Sequence, residues 1–345
     1  MRIVVLAGGL SPERDVSLSS GSLIANALME KGHSVVLADV YEGIEFPEHK
    51  EDVFLSPSGS FRYYYDIPSE APDLRQLIEK NNGRKALIGA NILELCVMAD
   101  VVFIALHGTM GENGQLQAVL ECYDIRYTGS DYTGSLLAMD KDLSKKLMRL
   151  AGVPTADWVL VSPTEDSLRE VRETVGFPCV IKPTHCGSSV GVSMINTEEE
   201  FLSAVMLANE YEQTVLAEKM IPGREFSVGI LGGEVLPAIE IIPHQGFFDY
   251  RNKYQKGLVT EVCPADLRPE QAERLSRYTR ITHDALRLGS YSRIDFILGP
   301  DGDFCCLEAN TLPGMTPTSL LPQEAAQVGL SYTELCDRIV RMAWK

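Results

Sequence analysis

The sequence predicts an α/β protein with three domains: a parallel-sheet α/β domain, a central α+β domain and a C-terminal α+β domain with an antiparallel sheet. At 345 residues the chain exceeds what one hydrophobic core usually organises. The continuous apolar run 101–106 is typical of a strand buried on both faces of a parallel sheet. Near the C-terminus, two β-rich runs flank Pro300-Asp301-Gly302, which predicts an antiparallel hairpin. We place the domains at 1–129, 130–217 and 218–345.

The first region alternates strands and helices. An apolar run over 2–7 predicts a strand that ends at Gly8-Gly9, and a helix follows from about Val16 to Lys31, with Gly32 as its stop signal. A second strand is expected over 33–40, while 41–69 has no regular pattern. After the run 101–106, a helix over 115–123 and a short strand over 125–128 complete an α/β unit.

The later regions mix helices with more strands. One helix carrying Leu136 to Leu150 and ending at Gly152 opens the second region. Two strand-like segments and two helices follow, the second helix starting with the capping box Thr197-Glu-Glu-Glu200. The third region contains a Gly232-Gly233 hairpin, a polar and aromatic loop over 243–260, and a helix over 269–288. Its last helix opens with a capping box at Ser331-Tyr-Thr-Glu334.

Composition and charge narrow the classes of partner. The net charge is −17, from 31 basic and 48 acidic residues, which argues against nucleic acid or an anionic membrane surface as the main partner. No apolar run is long enough to span a bilayer, and the N-terminus lacks a signal-peptide layout. The eight cysteines are scattered without CxxC spacing, which favours reduced thiols over zinc or disulfides. We therefore expect a cytoplasmic protein that uses no membrane.

The C-terminal hairpin carries the most informative residues. If the turn is symmetric about Asp301 and Gly302, Asp295 lies opposite Glu308, and Arg293 lies opposite Asn310. These four side chains then share one face, while Ile294, Phe296 and Leu307 point to the other face. Like charges opposed on a sheet are destabilising, so a cation such as Mg²⁺ is expected between the two carboxylates. A solvated edge hairpin explains the same acidic pair.

A second pattern combines a lysine with a glycine-rich loop. A strand ends in Lys182-Pro183, and Gly187-Ser188-Ser189-Val190-Gly191 follows closely. Glycines let backbone N–H groups approach phosphate oxygens, so this loop is suited to a nucleotide's phosphates. The order differs from a Walker A loop, in which the lysine follows the glycines. A flexible loop beside a surface lysine is the simpler interpretation.

Other single residues are weaker signals. His107 follows the buried strand 101–106, and Glu13 follows the first strand, at the carboxyl edge where open α/β sheets bind ligands. Taken alone, His107 is equally well a satisfied buried imidazole, and Glu13 a favourable charge at a helix N-terminus. Lys141 and the strand end Glu218-Lys219 are likewise compatible with ordinary surface positions. As a set, these residues point to one crevice.

Together these segments resemble the D-alanine–D-alanine ligases of the ATP-grasp superfamily. The matching motifs run in family order over nearly the whole chain: Gly8 to Ser17, Leu106-His107-Gly108, Gly111 to Gly114, Met139-Asp-Lys141, Lys182-Pro, Gly187 to Gly191, Glu218-Lys219, Lys253-Tyr254, Arg293-Ile-Asp295, Glu308-Ala-Asn310-Thr and Pro313-Gly314-Met-Thr. The resemblance implies a three-domain ATP-grasp ligase, with a central lid domain, that phosphorylates one D-alanine and joins it to a second.

The resemblance also implies roles for individual residues. ATP would contact Lys141, Lys182, Gly187, Ser188, Ser189, Glu218, Lys219, Glu225 and Lys253, and Mg²⁺ or Mn²⁺, as two ions, would be held by Asp295, Glu308 and Asn310. Arg293 and the backbone at Gly314 would stabilise the reacting centre. Glu13 and His107 would bind the first D-alanine, and Ser319 and Leu320 the second. Ser188 and Tyr254 would link to Glu13 and close the lid. A homodimer is expected.

The chain also departs from the family pattern. Thr184-His185-Cys186 stands where other polar or acidic residues are expected, and the aromatic stretch 60–98 enlarges the first domain. Lys253-Tyr254 favours D-alanine as the second substrate, with D-serine or D-lactate as alternatives. A catalytically silent nucleotide-binding protein is disfavoured by the intact Arg293, Asp295 and Asn310. A dinucleotide oxidoreductase is disfavoured because the first βα turn lacks GxGxxG.

Overall fold

The computed structural model describes residues 1–55, 61–68, 70–187, 190–244 and 259–344. In chain order the strands are β1 (Arg2–Ala7), β2 (Ser34–Asp39), β3 (Val101–Ile104), β4 (Trp158–Val161), β5 (Cys179–Pro183), β6 (Ser193–Ile195), β7 (Val215–Lys219), β8 (Arg224–Leu231), β9 (Glu234–Val235), β10 (Ile239–Pro243), β11 (Val259–Val262), β12 (Tyr291–Leu298) and β13 (Phe304–Asn310). The helices are α1 (Arg14–Glu30), α2 (Leu74–Lys80), α3 (Ile92–Met98), α4 (Gln115–Cys122), α5 (Tyr132–Met139), α6 (Lys141–Leu150), α7 (Glu165–Thr174), α8 (Phe201–Asn209), α9 (Pro269–Ala285), α10 (Leu320–Gln327) and α11 (Tyr332–Trp344). Short 3₁₀ turns occupy Lys50–Phe54 and Glu198–Glu200.

The first sheet is parallel, as predicted, with strand order β2-β1-β3. Its strands are almost wholly apolar because helices cover both faces. The predicted strand over 125–128 is wrong: this segment makes a single parallel bridge, between Tyr127 and Val102. The C-terminal helices α10 and α11 share the core of this sheet, since Leu321, Leu335 and Ile339 pack in it. The C-terminal end of the chain therefore packs against the N-terminal sheet.

The second sheet is antiparallel, with order β4-β7-β5-β6, and α7 and α8 pack on it around a core that includes Val171, Ile181 and Val205. The capping box at Thr197 is confirmed, because the Glu200 carboxylate accepts a hydrogen bond from the Thr197 N–H at 3.1 Å. The box at Ser331 is confirmed in the same way, with Glu334 accepting from the Ser331 N–H at 3.0 Å.

The helix predicted over Leu136 to Leu150 is two helices, α5 and α6, and the single-helix prediction is wrong. Asp140 breaks it with an extended backbone (φ −78°, ψ 103°), and its side chain accepts from the Leu143 N–H at 3.0 Å. Aspartate competes with helical hydrogen bonding in this way and serves better as an N-cap. The break makes Lys141 the first residue of α6.

The third sheet carries the predicted hairpin and has the order β11-β10-β8-β12-β13, with β9 paired to β8. Asp295 lies opposite Glu308 and Arg293 opposite Asn310, as predicted. The symmetric turn is wrong, however, because Phe296 pairs with Cys306 and Leu298 with Phe304. A β-bulge at Leu307 absorbs the one-residue difference.

The bulge also overturns the face predicted for Leu307. Ile294 and Phe296 lie in the core beneath the sheet, as expected, but Leu307 lines the same cavity as Glu308. The backbone displaced by the bulge finds partners elsewhere: Cys306 N–H donates to the Pro154 carbonyl at 2.8 Å, and Cys306 C=O accepts from Thr155 Oγ1 at 3.0 Å.

The sequence predicts reduced thiols and no membrane-spanning segment. All eight cysteines are unpaired thiols. Within the described ranges, no helix is both long enough and apolar enough to span a bilayer. The polar and aromatic loop predicted over 243–260 lies mostly outside the described residues.

Candidate active site

A cavity of about 670 Å³ separates the second sheet from the third. Strands β5 and β7 supply Lys182, Glu218 and Lys219, while β12 and β13 supply Asp295 and Glu308 from the opposite side. Apolar side chains line it as well: Val180, Met194, Ile221, Ile242, Ile297 and Leu307. The cavity therefore joins an apolar slot to a charged end, and its volume lies in the usual range for a ligand site.

The acidic hairpin, which we define as β12 and β13 with Arg293, Asp295, Glu308 and Asn310, forms one wall. Arg293 grips Asp295 with two parallel hydrogen bonds, Nε to Oδ1 at 3.0 Å and Nη2 to Oδ2 at 2.8 Å. Ser227 Oγ and Asn310 Nδ2 also donate to Asp295, at 2.7 and 3.0 Å. Burial acts to lower the pKa of Arg293, but the Asp295 carboxylate outweighs it and raises that pKa above its usual value. Arg293 is therefore charged and held in a single orientation.

Lysines face the hairpin from the other side of the cavity. Lys141 Nζ lies 3.9 Å from Glu308 Oε2 and donates to the Cys186 carbonyl at 2.7 Å. Burial lowers the pKa of Lys141, opposed by the charge of Glu308. Lys182 Nζ lies 3.2 Å from Glu218 Oε1. The two lysines thus stand at the entry of the glycine loop, on the charged end of the cavity.

Glu218 is held by a second lysine that the sequence did not single out. Lys145 Nζ lies 2.8 Å from Glu218 Oε2 and donates to Thr155 Oγ1 at 2.6 Å, with the side chain only 1% exposed. Burial acts to raise the pKa of Glu218, but Lys182 and Lys145 outweigh it and keep the pKa below its usual value. Lys145 follows Lys141 by four residues on α6, so helical spacing could have suggested it.

The carboxyl edge of the first sheet forms a crevice beside the cavity. Glu13 and His107, both less than 10% exposed, meet there. Gly187 of the glycine loop approaches so closely that a Cβ at this position would lie 3.7 Å from Glu13 Oε2. Burial lowers the pKa of His107, against the opposing charge of Glu13, and Arg293 is close enough to lower it further. The crevice and the acidic hairpin are therefore neighbours.

Glu112, another residue not singled out from the sequence, lies in the same crevice. Its carboxylate accepts from the Gly108 N–H at 2.6 Å. Desolvation, followed by the charge of Glu13, raises the pKa of Glu112 to about 8. It belongs to the segment Gly111 to Gly114, which the sequence marks as a motif without indicating a role for the acid.

The start of α10 lies next to Gly314. Ser319 is the N-cap of α10, its Oγ accepts from the Thr316 N–H at 3.1 Å, and a Cβ at Gly314 would lie 3.0 Å from this Oγ. Leu320 is buried against Ile239 and Ile241 of the third sheet. Further along α10, Glu324 is fully buried, and its Oε2 accepts from the Gly229 N–H at 2.7 Å. Burial raises the pKa of Glu324 well above its usual value, against the charge of Arg293.

The structure thus brings most of the predicted site residues into one region. Lys141, Lys182, Gly187, Glu218, Lys219, Glu225, Asp295 and Glu308 line the cavity. Glu13 and His107 form the adjacent crevice, and Pro313 and Met315, on either side of Gly314, lie beside His107. Gly314 neighbours Ser319, and Leu320 follows Ser319 at the start of α10. Arg293 and Asn310 bond to Asp295. Ser188, Ser189, Lys253 and Tyr254 lie outside the described residues.

Fold and site together define a class of protein. Two α+β lobes enclose a cavity with lysines on one side and a carboxylate hairpin on the other, next to a parallel α/β domain. This is the architecture of the ATP-grasp ligases, enzymes that join a carboxylate to an amine at the expense of ATP.

Comparisons with known proteins narrow the class to a family. The family model "D-ala D-ala ligase N-terminus" matches residues 2–130, and "D-ala D-ala ligase C-terminus" matches residues 147–341. The D-alanine–D-alanine ligase of Pediococcus pentosaceus is 41% identical over 99% of this chain and 97% of its own length. The chain belongs to the D-alanine–D-alanine ligase family.

Solved structures agree with this assignment. The Bacillus anthracis D-alanine–D-alanine ligase complexed with ATP superposes with a TM-score of 0.73 at 29% identity, covering 99% of this chain and 97% of the other. The VanG D-Ala:D-Ser ligase of Enterococcus faecalis superposes with a TM-score of 0.77 at 27% identity, covering 99% of both chains.

Proposed function

We propose that this enzyme joins two D-alanine molecules into D-alanyl-D-alanine, with conversion of ATP to ADP and phosphate, for the synthesis of peptidoglycan precursors. The first carboxylate attacks the γ-phosphorus of ATP, the bond to the ADP oxygen breaks, and a D-alanyl phosphate forms. The amine of the second D-alanine then attacks the acyl carbon, loses a proton, and phosphate leaves. Such chemistry requires positioning and charge neutralisation rather than a protein nucleophile.

One observation carries this proposal: the acidic hairpin faces Lys141 and Lys182 across the cavity and adjoins the Glu13–His107 crevice. The nucleotide's base fits the apolar slot, with Glu218, Lys219 and Glu225 near the base and ribose. Lys141 and Lys182 hold the phosphates at the charged end. Gly187 lines the cavity at this end. From the resemblance, we also assign Ser188, Ser189 and Lys253 to nucleotide binding.

Asp295, Glu308 and Asn310 fit Mg²⁺ or Mn²⁺, in a site of two ions. All three present hard oxygen donors, and Asp295 and Glu308 are opposed in register on the cavity wall. Among the described residues, no group of three or more His, Cys, Asp or Glu side chains could hold a metal unaided. Two carboxylates and one amide oxygen leave coordination positions open, which ATP phosphates would fill. When bound, such ions neutralise the charge of the phosphates.

Arg293 is suited to the reacting centre because Asp295 fixes its orientation while burial strengthens its field. We assign it to the transferred phosphoryl group and to the oxyanion formed when the second amine attacks. The backbone N–H near Gly314 stabilises the same oxyanion. Asp295 holds Arg293 before the reaction begins, which supports a low reorganisation cost at this donor.

The crevice recognises the amino acids. Glu13 pairs with the ammonium of the first D-alanine, and neutral His107 lies near its carboxylate. Ser319 and the N-terminus of α10 receive the carboxylate of the second D-alanine, where a helix start favours negative charge, and Leu320 packs beside it. From the resemblance, we assign to Ser188 and Tyr254 a hydrogen-bonding link to Glu13 that would close the lid.

Phosphate release by the purified protein tests this function. With ATP, Mg²⁺ and D-alanine, we expect release that depends on all three, and one dipeptide per phosphate by mass. L-alanine in place of D-alanine should give none. Absence of release with any D-amino or D-hydroxy acid would refute the proposal.

A different second substrate, D-serine or D-lactate, is the alternative, since the D-Ala:D-Ser ligase superposes with a TM-score of 0.77, against 0.74 for the Bacillus anthracis D-alanine enzyme, although its identity is lower, 27% against 31%. Incubation with equal D-alanine, D-serine and D-lactate distinguishes the acceptors by product mass. We expect D-alanyl-D-alanine to predominate.

We also propose that two chains pair through their N-terminal domains. Leu55, Val97 and Tyr123 are large apolar side chains that are more than half exposed on this part of the chain, which supports a partner surface. Light scattering should give twice the monomer mass of 38.0 kDa.

A further inference from the structure

The entry of the glycine loop is fastened to one carboxylate of the second domain. Glu212, between α8 and β7, accepts three hydrogen bonds from two neighbouring residues. Thr184 Oγ1 donates to Oε1 at 2.8 Å, His185 N–H donates to Oε2 at 2.7 Å, and the His185 ring Nδ1 bonds to Oε1. Backbone and side chains of the loop entry are therefore held at one point.

The same segment is fastened on its other side to the start of α6. His185 Nε2 lies 3.3 Å from the carboxylate of Asp140, which caps this helix. The Lys141 N–H donates to the Thr184 carbonyl at 3.1 Å, and Lys141 Nζ donates to the Cys186 carbonyl at 2.7 Å. His185 thus bridges two carboxylates, with the phosphate-facing Lys141 bonded to the residues before and after it.

The surrounding charges favour a protonated His185. The hydrogen bond with Glu212 is the largest influence and raises the pKa of His185, Asp140 raises it further, and burial and Lys141 act in the opposite direction. Burial acts to raise the pKa of Glu212, but the hydrogen bonds from His185 and Thr184 outweigh it and hold that pKa below its usual value. Glu212, Asp140 and Lys141 are the charged groups that face the ring from the adjoining elements.

We propose that Asp140, His185 and Glu212 form an ionic clasp, and that the protonated His185 holds Lys141 and the glycine-loop entry in the arrangement that binds a nucleotide's phosphates. His185 is a positioning residue in this role, because it acts through Lys141 and the loop backbone. Its central residue belongs to Thr184-His185-Cys186, the segment at which the resemblance led us to expect other polar or acidic residues.

A pH dependence follows from the sign of the charges. While His185 is protonated, both carboxylates attract it and the clasp is closed. As the pH rises through the pKa of His185, which lies above its ordinary value, the ring loses its charge and the attraction to Asp140 and Glu212 weakens. Lys141 and the loop entry are then less well ordered, so the nucleotide must order them on binding and its affinity falls.

The test measures ADP binding by calorimetry, in saturating Mg²⁺ between pH 6.5 and 9.5, for the native protein, His185→Gln and the control His49→Gln. His49 is exposed and lies outside the site. At pH 6.5 we expect His185→Gln to bind ADP about two- to fivefold more weakly than the native protein, the factor typical of a partly exposed charged pair. At pH 9.5 the two should bind equally. The ionisation of ADP's own phosphates is common to all variants and cancels in the ratio.

The clasp rests on the proposed function only for the identity of the nucleotide. The possible results therefore distinguish a failure of the clasp from a failure of the proposed function. Equal affinities at pH 6.5, or a ratio that does not change with pH, would overturn the clasp while leaving ligase activity intact. No ADP binding by any folded variant would overturn both. Thermal midpoints measured in parallel show that each variant is folded.

A double-mutant cycle provides an independent measurement. If His185 and Glu212 act as one unit, His185→Gln and Glu212→Gln should weaken ADP binding at pH 6.5 by less in combination than the product of their separate effects. Effects that multiply would mean that the two residues act independently, which contradicts the clasp.

Discussion

The acidic hairpin and the ionic clasp both pair carboxylates with a cation, but they do so at different depths. In the hairpin, the side chains of Arg293 and Asp295 are 14% and 9% exposed. In the clasp, that of His185 is 46% exposed, and those of Asp140 and Glu212 are each 19% exposed. The first pair lies in a low-dielectric wall and is scarcely screened by water, whereas the second is open to solvent.

This difference in burial gives the two charged groups different properties within one site. A buried pair is costly to break, because the remaining partner stays desolvated without its counter-charge. A half-exposed pair is worth less, but it can titrate at ordinary pH. The hairpin is therefore suited to a role that does not change with pH, and the clasp to one that does. Substitutions in buried pairs and in half-exposed pairs should therefore differ in the size of their effect on activity or stability, and in its pH dependence.

Asp295→Asn should give the largest effect. It removes the charge that holds Arg293 and one of the carboxylates proposed to hold Mg²⁺, so we expect the turnover number to fall by roughly 10²- to 10³-fold. The control Asp301→Asn lies in the turn of the same hairpin, where Asp301 accepts from the Asp303 N–H at 3.1 Å, and its phosphate release should be close to native. Near-native turnover of Asp295→Asn would contradict the metal assignment.

Lys145→Met and Lys146→Met compare a buried ion pair with an exposed one, away from the reacting centre. Loss of Lys145 leaves the buried Glu218 with Lys182 alone, so the free energy of unfolding should fall by about 3–5 kcal/mol. The adjacent Lys146 pairs with Asp142 at 2.6 Å but is 56% exposed, and Lys146→Met should cost less than about 1 kcal/mol. Urea unfolding of both variants measures the difference. Equal losses would mean that depth does not determine the value of these pairs.

Glu324→Gln tests a buried acid that forms no ion pair with any residue in the described part of the chain. Because the pKa of Glu324 is raised in the folded state, its stabilising contribution is complete below its unfolded pKa and is lost as the pH rises through its folded pKa. Between its unfolded and its folded pKa the native protein should lose about 1.4 kcal/mol of unfolding free energy per pH unit, with no further loss above the folded pKa, and Glu324→Gln should lack this slope. Unfolding measured from pH 6 to 10 should show the two slopes diverging, with exposed Glu79→Gln behaving as native. Parallel slopes would mean that Glu324 is ionised throughout.

Much of the architecture was predictable because its signals are local. The pairs Asp295–Glu308 and Arg293–Asn310 were predicted from a symmetric turn; the turn is different by one residue, and the bulge at Leu307 restores the predicted register at these two pairs. The alternation of side chains, which the backbone itself sets, then places all four on one face. The helix over 14–30 and both capping boxes follow from residues within a few positions of one another. The candidate site residues were predicted from the order of their motifs. Lys141, Lys182, Glu218, Asp295 and Glu308, which lie far apart in the chain, line one cavity in the folded protein.

The missed features are contacts between distant parts of the chain. The bulge at Leu307 depends on Pro154 and Thr155, some 150 positions earlier, which take up the backbone groups of Cys306. Lys145 matters because Glu218 lies across from it, and Glu324 because it meets Gly229, so close that a Cβ there would lie 2.4 Å from the carboxylate. Nothing in the local pattern around these residues encodes their partners.

The order of strands, helices and motifs, and the chemistry of the side chains that carry them, can be read from the chain, because periodicity, capping and turn preferences act over a few residues. Which charges are buried, which carboxylate meets which lysine, and whether His185 lies between two acids were decided only by the packing of the three sheets. Burial and pairing are properties of the space around a side chain, and distant segments create that space only when the chain folds.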